Sequence, residues 1–191
     1  IPIIAPLPNA NVSLERFAGT FVAHTEIPIP IRFDPKTLDT IGVQQSLQGT
    51  GILGTAHPHV DGATGERFSY EVDLIPPTTG YRVLVRGGSA GAGPRTLATI
   101  PRAEPGYMHS FALTDRYLVV LEQPFIVNPL SFLSADRKPI IANYRWESKN
   151  PVRLIVIDRH AGGVKAEIEM DPFFVFHNVN AFDRNGKIEM D

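Results

Sequence analysis

Three histidines carry the clearest chemical signal in this chain. His57, His109 and His177 each open a stretch that reads as a strand, and in HSFALTDR (109–116) and HNVNAFDR (177–184) the histidine stands six positions ahead of an Asp-Arg turn. A repeated spacing of that kind reads as one structural unit used twice, delivering the same side chain to the same place. The intervals, 52 residues from 57 to 109 and 68 from 109 to 177, approach one propeller blade of ~40–50 residues plus insertions. Blades set around one axis bring such side chains together, and clustered imidazoles are a transition-metal site. The residues alone leave the alternative open that the three are unrelated, each capping a turn or bonded to a backbone carbonyl. The other histidines read as structural: His59 points away from His57 on an extended chain, His160 sits in a polar hairpin turn, and His24 lies mid-strand beside Thr25 and Glu26.

Composition narrows the chemistry. At 191 residues, 43% hydrophobic and 20% charged, the chain has the make-up of one globular core. It contains no cysteine, which excludes disulfides, zinc thiolates, iron-sulfur clusters and thiol nucleophiles. Any metal must therefore sit on His, Asp or Glu. A formal net charge of −2 with no run of Lys or Arg gives no basis for a nucleic-acid partner. No apolar run approaches the ~20 residues of a membrane-spanning helix, and no signal peptide is evident at the front, which points to a cytoplasmic location. The chain begins at Ile1 and ends on GKIEMD within an apparent strand; residues 1–191 are expected to be a single partial domain, truncated at both ends.

The elements that must position the histidines are strands. Seventeen prolines and sixteen glycines punctuate short runs rich in Val, Ile, Phe and Tyr, and no window keeps a helical period over three turns. The fold class is all-β. Strands are predicted over 11–17, 20–26, 30–34, 66–74, 81–87, 117–123, 153–158, 164–170 and 173–182, with turns at Asp34-Pro35, Asp61-Gly62, Gly162-Gly163 and Asn185-Gly186. RLIVIDRHAGGVKAEIEMD alternates apolar and polar residues about its Gly-Gly turn, as a hairpin with one buried face does. Two stretches break the rhythm. GSAGAGP (88–94) reads as a surface connection. PFIVNPLSFLSADRKPIIAN (124–143) is apolar but interrupted by prolines, so it fits neither a ladder strand nor a long helix, and reads as core lining or an exposed patch.

Three segments resemble, in order and spacing, the histidine motifs of the carotenoid cleavage oxygenase family: TAHPHVDGATGE (55–66), PGYMHSFALTDRYLVVLEQP (105–124) and DPFFVFHNVNAFDRNGKIEMD (171–191). HTEIPIPIRFDPKTLDTIG (24–42) is similar to the segment that precedes the first motif, and the similarity runs from about Asn11 to the last residue. The resemblance implies a partial seven-bladed β-propeller around an iron(II) held by histidines alone, with His57, His109 and His177 as three metal ligands and a fourth beyond this chain. Asn178 departs from the FHHVN form of many relatives but spares the matching histidine. A carboxylate accepting the free ring N–H of a ligand fixes its tautomer and raises its basicity; the HTE match implies that role for Glu26. Thr25 matches a threonine beside the open metal position.

The resemblance also implies an activity: an iron(II) dioxygenase that cleaves a carbon-carbon double bond of a carotenoid, apocarotenoid or stilbenoid into two carbonyl products, with dioxygen as co-substrate. HSFALT and EQPF look closer to the carotenoid-cleaving animal-type members than to the HDFAIT form. A hydrocarbon offers no polar handle, so an apolar tunnel must hold it; Phe111, Phe125, Tyr107, Phe174 and Phe176 are available as wall, and each is equally available as blade core. Leu130, Phe132 and Leu133, with Pro129, occupy the stretch that in relatives lies on a membrane surface, so peripheral membrane contact is expected. Residues 1–191 by themselves are expected to be a poor enzyme, because missing blades leave strand edges unpaired. Two alternatives remain: an iron enzyme that isomerises and hydrolyses retinyl esters without dioxygen, and a metal-free propeller that serves as a binding scaffold.

Overall fold

Runs of β-branched and aromatic residues separated by Gly and Pro have no helical stripe to bury, so they close into antiparallel ladders. The computed structural model describes residues 9–87, 93–133 and 138–191, without the Leu133 side chain. Among them the only helical turns are short 3-10 segments. The first sheet runs β1 (Ser13–Phe17), β2 (Thr20–His24), β3 (Ile31–Phe33) and β4 (Thr40–Val43) in sequence order. The second holds β5 (Leu53–Gly54) and β6 (His59–Val60), both on β7 (Arg67–Asp73), followed by β8 (Gly80–Arg86) and β9 (Arg95–Pro101).

The third sheet begins with β10 (Ala112–Leu113) and β11 (Tyr117–Glu122). An excursion then pairs β12 (Phe125–Val127) with β13 (Tyr144–Trp146), and the sheet resumes with β14 (Val152–Asp158) and β15 (Val164–Met170) in the order β10-β11-β14-β15. A last hairpin, β16 (Ala181–Arg184) and β17 (Lys187–Met190), turns on Asn185 and Gly186, both at positive φ as a tight two-residue turn requires.

The core lies between the second and third sheets. Phe68, Tyr70, Tyr81 and Val83 from one pack with Leu118, Val120, Ile155 and Ile157 from the other and with Phe111 just ahead of β10, all at 2% exposure or less. A sheet covered on both faces has no polar face to alternate, which is why LVVLE of β11 is buried residue after residue. β15, at the rim, is mostly exposed.

Several expectations are corrected. The ladder expected over 173–182 begins only at Ala181; residues 173–180 join no sheet, and side chains take backbone groups of this stretch instead. β4 and β9 were not anticipated: TIGV is short and glycine-interrupted, and RTLATIP lacks a run of large apolar residues. In the 124–143 stretch Phe125–Val127 does ladder, against Tyr144–Trp146, before the 3-10 turns Pro129–Leu133 and Ile140–Asn143. Of the glycine-rich connection 88–94, residues 88–92 lie outside the described residues.

The repeated Asp-Arg spacing is likewise not one unit used twice. Asp115-Arg116 forms the bend between β10 and β11, whereas Asp183-Arg184 ends a strand. The two meet directly, Arg116 N donating to Asp183 Oδ2 at 2.9 Å.

Candidate metal centre

None of the three histidines lies in a strand; each stands in a connection just ahead of one, His57 before β6, His109 before β10 and His177 before β16. Connections at sheet ends are free to aim side chains, while the ladders behind them hold the aim. Thr55 ties two of these connections together, its hydroxyl accepting from His57 N at 2.9 Å and donating to His109 O at 3.2 Å. Gly106 lets the His109 segment approach β11, since a Cβ there would stand 2.3 Å from the Gln123 carbonyl oxygen.

The rings converge. His57 Nε2 stands 2.9 Å from His109 Nε2 and 3.4 Å from His177 Nε2, and the three ligand atoms all lie within 4.8 Å of one another. Ring lone pairs at such range repel unless a proton or a cation lies among them; a proton bridges one pair, whereas a cation serves all three. Bonds of ~2.1 Å to one ion place ligand nitrogens roughly 3.0 Å apart at a right angle and roughly 3.4 Å apart at the tetrahedral angle. The donor set fits a divalent transition metal, and with no thiolate it suits iron, zinc, copper or nickel.

Electrostatics keep the His57 donor neutral. Burial, reinforced by His109 and His177, holds the His57 imidazole down to about 4, so at neutral pH it offers a lone pair rather than a charge. His109 Nδ1 lies 2.7 Å from Glu26 Oε1. A carboxylate only accepts, so this contact puts the ring proton on Nδ1 and leaves Nε2 free. Tyr107 was not anticipated as part of this brace. Its hydroxyl donates to the same oxygen at 2.5 Å, and burial followed by the Glu26 contact pushes the phenol well above its usual range, so it stays a donor. Glu26 is itself fixed by its main chain, Gly54 N donating to Glu26 O at 2.7 Å. Thr25 stands half-buried just before Glu26.

The remaining histidines do other things. His24 is buried on Glu15 at 2.7 Å, His59 bonds the Phe111 carbonyl oxygen at 3.0 Å, and His160 bonds the Asp115 carbonyl oxygen at 3.0 Å. The aromatic candidates for a tunnel wall divide. Phe111 is core, fully buried against Tyr70 and His59. Phe176 lies 5.4 Å from the His109 ring, with Phe174 4.8 Å beyond and Tyr107 and Phe125 behind them. Phe174 and Phe176, at 42% and 52% exposure, present apolar rings beside the imidazole cluster. Leu130 is exposed, Phe132 is half-buried against the core, and the Leu133 side chain lies outside the described residues. No described helix is long and apolar enough to cross a membrane.

Antiparallel sheets whose connections bring three imidazoles to one point define an all-β protein with a candidate histidine metal site. The pattern of the retinal pigment epithelial membrane protein family matches residues 4–191, and the chain belongs to that family. It is 29% identical over 191 residues to the carotenoid isomerooxygenase of Drosophila melanogaster, an alignment covering 96% of this chain and 31% of that protein. Its fold is similar to that of an apocarotenoid oxygenase variant from Synechocystis, with a TM-score of 0.76 at 26% identity over 95% of this chain and 38% of that one. It is also similar to the lignostilbene dioxygenase of Pseudomonas brassicacearum, with a TM-score of 0.75 at 25% identity over 95% of this chain and 37% of that one. The all-β fold is thus that of the β-propeller carotenoid oxygenases. The chain spans about a third of the length of the curated relatives it matches.

Proposed function

We propose that this chain supplies three histidine ligands of an iron(II) centre in an enzyme that cleaves a carbon-carbon double bond of a carotenoid, apocarotenoid or stilbenoid with dioxygen. The observation that carries the reading is the convergence of His57, His109 and His177 on one point, at 2.9 and 3.4 Å from His57 Nε2. When bound, iron(II) supplies redox chemistry toward dioxygen that imidazole and carboxylate side chains lack. The chain's own groups hold and shape the site. Glu26 keeps the Nδ1 proton of His109 in place, and Tyr107 keeps Glu26 in place. Phe174 and Phe176, set edge to face at 82°, offer an apolar wall to a conjugated chain beside the cluster. Thr25, adjoining Glu26, is assigned to the open metal position.

The overall change breaks one C=C bond and forms two C=O bonds, both oxygens coming from dioxygen, so no external reductant is needed. The natural work site is a cytoplasmic membrane surface, since polyenes partition into bilayers. Exposed Leu130, Ile141 and Trp146 are apolar side chains that suit such contact.

The test is to load the full-length protein with iron(II) anaerobically and supply carotenoid, apocarotenoid and stilbenoid substrates with labelled dioxygen. Two labelled carbonyl products per dioxygen consumed are expected, and none from a His57→Ala variant. Turnover of a retinyl ester without oxygen uptake supports the isomerohydrolase alternative instead, and failure on every substrate overturns the proposal.

A further inference from the structure

His177 reaches the cluster from residues 171–180, which join no sheet. An extended segment outside a ladder must satisfy its backbone groups some other way, and whatever satisfies them sets where its side chains point. Val179 N donates to Asp191 O at 2.7 Å and Asn180 O accepts from Asp191 N at 3.0 Å, but over residues 175–178 two side chains do the work. Val175 N donates to Gln123 Oε1 at 2.7 Å, and Gln123 Nε2 donates to Val175 O at 2.8 Å, so one amide makes both bonds of a strand bridge. Gln123 Nε2 also reaches Tyr107 O at 3.4 Å. One residue further, Ser110 Oγ donates to Phe176 O at 2.8 Å and accepts from Asn178 N at 3.2 Å, with Asn178 Nδ2 at 3.4 Å. The backbone on both sides of His177 is thus held by a hydroxyl, and the stretch before it by an amide.

Both anchors are well placed to hold position. Gln123 is 2% exposed and directly follows β11; Ser110 is 8% exposed and directly follows His109. His177 itself is exposed, and among the described residues its ring nitrogen meets His57 rather than a carboxylate. Its location is therefore referenced to the His109 segment through backbone contacts rather than fixed at the ring.

We propose that Ser110 and Gln123 are positioning residues for the metal centre, clamping the 175–178 backbone so that the His177 imidazole meets those of His57 and His109. The proposal rests on the three-histidine metal reading. A hydroxyl and an amide fit the task because each donates and accepts at once, as a strand's own backbone does. Freed from them, residues 173–180 keep their apolar contacts but lose the register that aims His177.

The experiment uses full-length protein, cobalt(II) and iron(II) as probes, and Ser110→Ala, Ser110→Thr and Gln123→Met variants. Metal affinity is read by anaerobic competition with a chelator, and ligand geometry from the visible bands of the cobalt(II) form. Ser110→Ala and Gln123→Met should each weaken binding by about 10-fold or more and shift the cobalt bands, the size seen when groups that orient metal ligands are removed. Ser110→Thr, which keeps the hydroxyl, should restore affinity, and the melting temperatures of the metal-free variants should match wild type. Affinities unchanged in both loss variants overturn the proposal. So does a Ser110→Thr variant as weak as Ser110→Ala, or an affinity loss matched by a fall in metal-free stability. His57→Ala separates the two levels: if wild type binds cobalt(II) no better than His57→Ala, the metal reading fails and the clamp with it. If wild type binds far better and the clamp variants equal it, only the clamp fails.

Discussion

His109 and His177 bring the same ring atom to the same cluster from opposite kinds of support. His109 is half-buried, its ring oriented by Glu26 at 2.7 Å and Glu26 in turn by Tyr107 at 2.5 Å. His177 is exposed, and its support acts on the backbone around it, through Ser110 and Gln123. A brace on the ring sets tautomer and basicity as well as place, whereas a brace on the backbone sets place alone. The two histidines should therefore respond differently when their supports are removed. His57 is a third case, held at its backbone by Thr55 in the connection ahead of β6, while beyond that strand Asp61 ties the chain to Arg159.

The largest effect is expected at that tie, which supports the fold more than the cluster. Arg159 is 5% exposed, stacks over Phe68, and pairs with Asp61. Asp61→Ala removes the carboxylate partner of a buried guanidinium, leaving it the Thr114 carbonyl oxygen, and should cost about 3 kcal/mol in urea unfolding. The loss should depend on acid in a definite direction. The Arg159 hydrogen bond, followed by the Thr64 and Ala63 amides, lowers the Asp61 carboxyl from 3.8 to about 2. Its stabilisation is thus present above pH 3.8 and fades as pH falls through about 2. The gap between wild type and Asp61→Ala should close over that window, and a gap independent of pH refutes the assignment.

A smaller effect, on metal rather than fold, is expected at the ring brace. Glu26→Ala should weaken iron(II) binding by roughly 10- to 100-fold with little change in the metal-free melting temperature. Glu26→Gln, which keeps an acceptor but not the charge, should fall between Glu26→Ala and wild type. The smallest effect belongs to Tyr107→Phe, about threefold, because the phenol acts on His109 mainly through the carboxylate. Chelator competition measures all three, and a Tyr107→Phe loss as large as that of Glu26→Ala would show that the phenol's own 3.1 Å contact with His109 Nδ1 outweighs its action through the carboxylate.

The ladders were legible wherever large β-branched or aromatic residues run together, as in VRLIVID and YLVVLE, because such runs have one use in a chain with no helical stripe. The hairpin about Gly162 and Gly163, both at positive φ, was legible from the glycine pair itself. The FFVF stretch misled for a physical reason: its residue types suit a strand, but its partners are side chains, with Gln123 lying 52 residues away from Val175. Period and propensity describe a segment's own preference and carry nothing about which distant groups will take its hydrogen bonds. Glu26 stood out only through its motif. Tyr107, Ser110 and Gln123 gave no signal as supports, because a buried hydroxyl or amide reads in sequence as an ordinary polar interruption.

X-ray absorption on anaerobically loaded full-length protein tests the central claim most directly. The expected result is about one iron per chain in an all-nitrogen shell near 2.1 Å, with His57→Ala, His109→Ala and His177→Ala each losing most of the metal. Iron retained undiminished by those three variants, or a shell built on carboxylate oxygen, would contradict it.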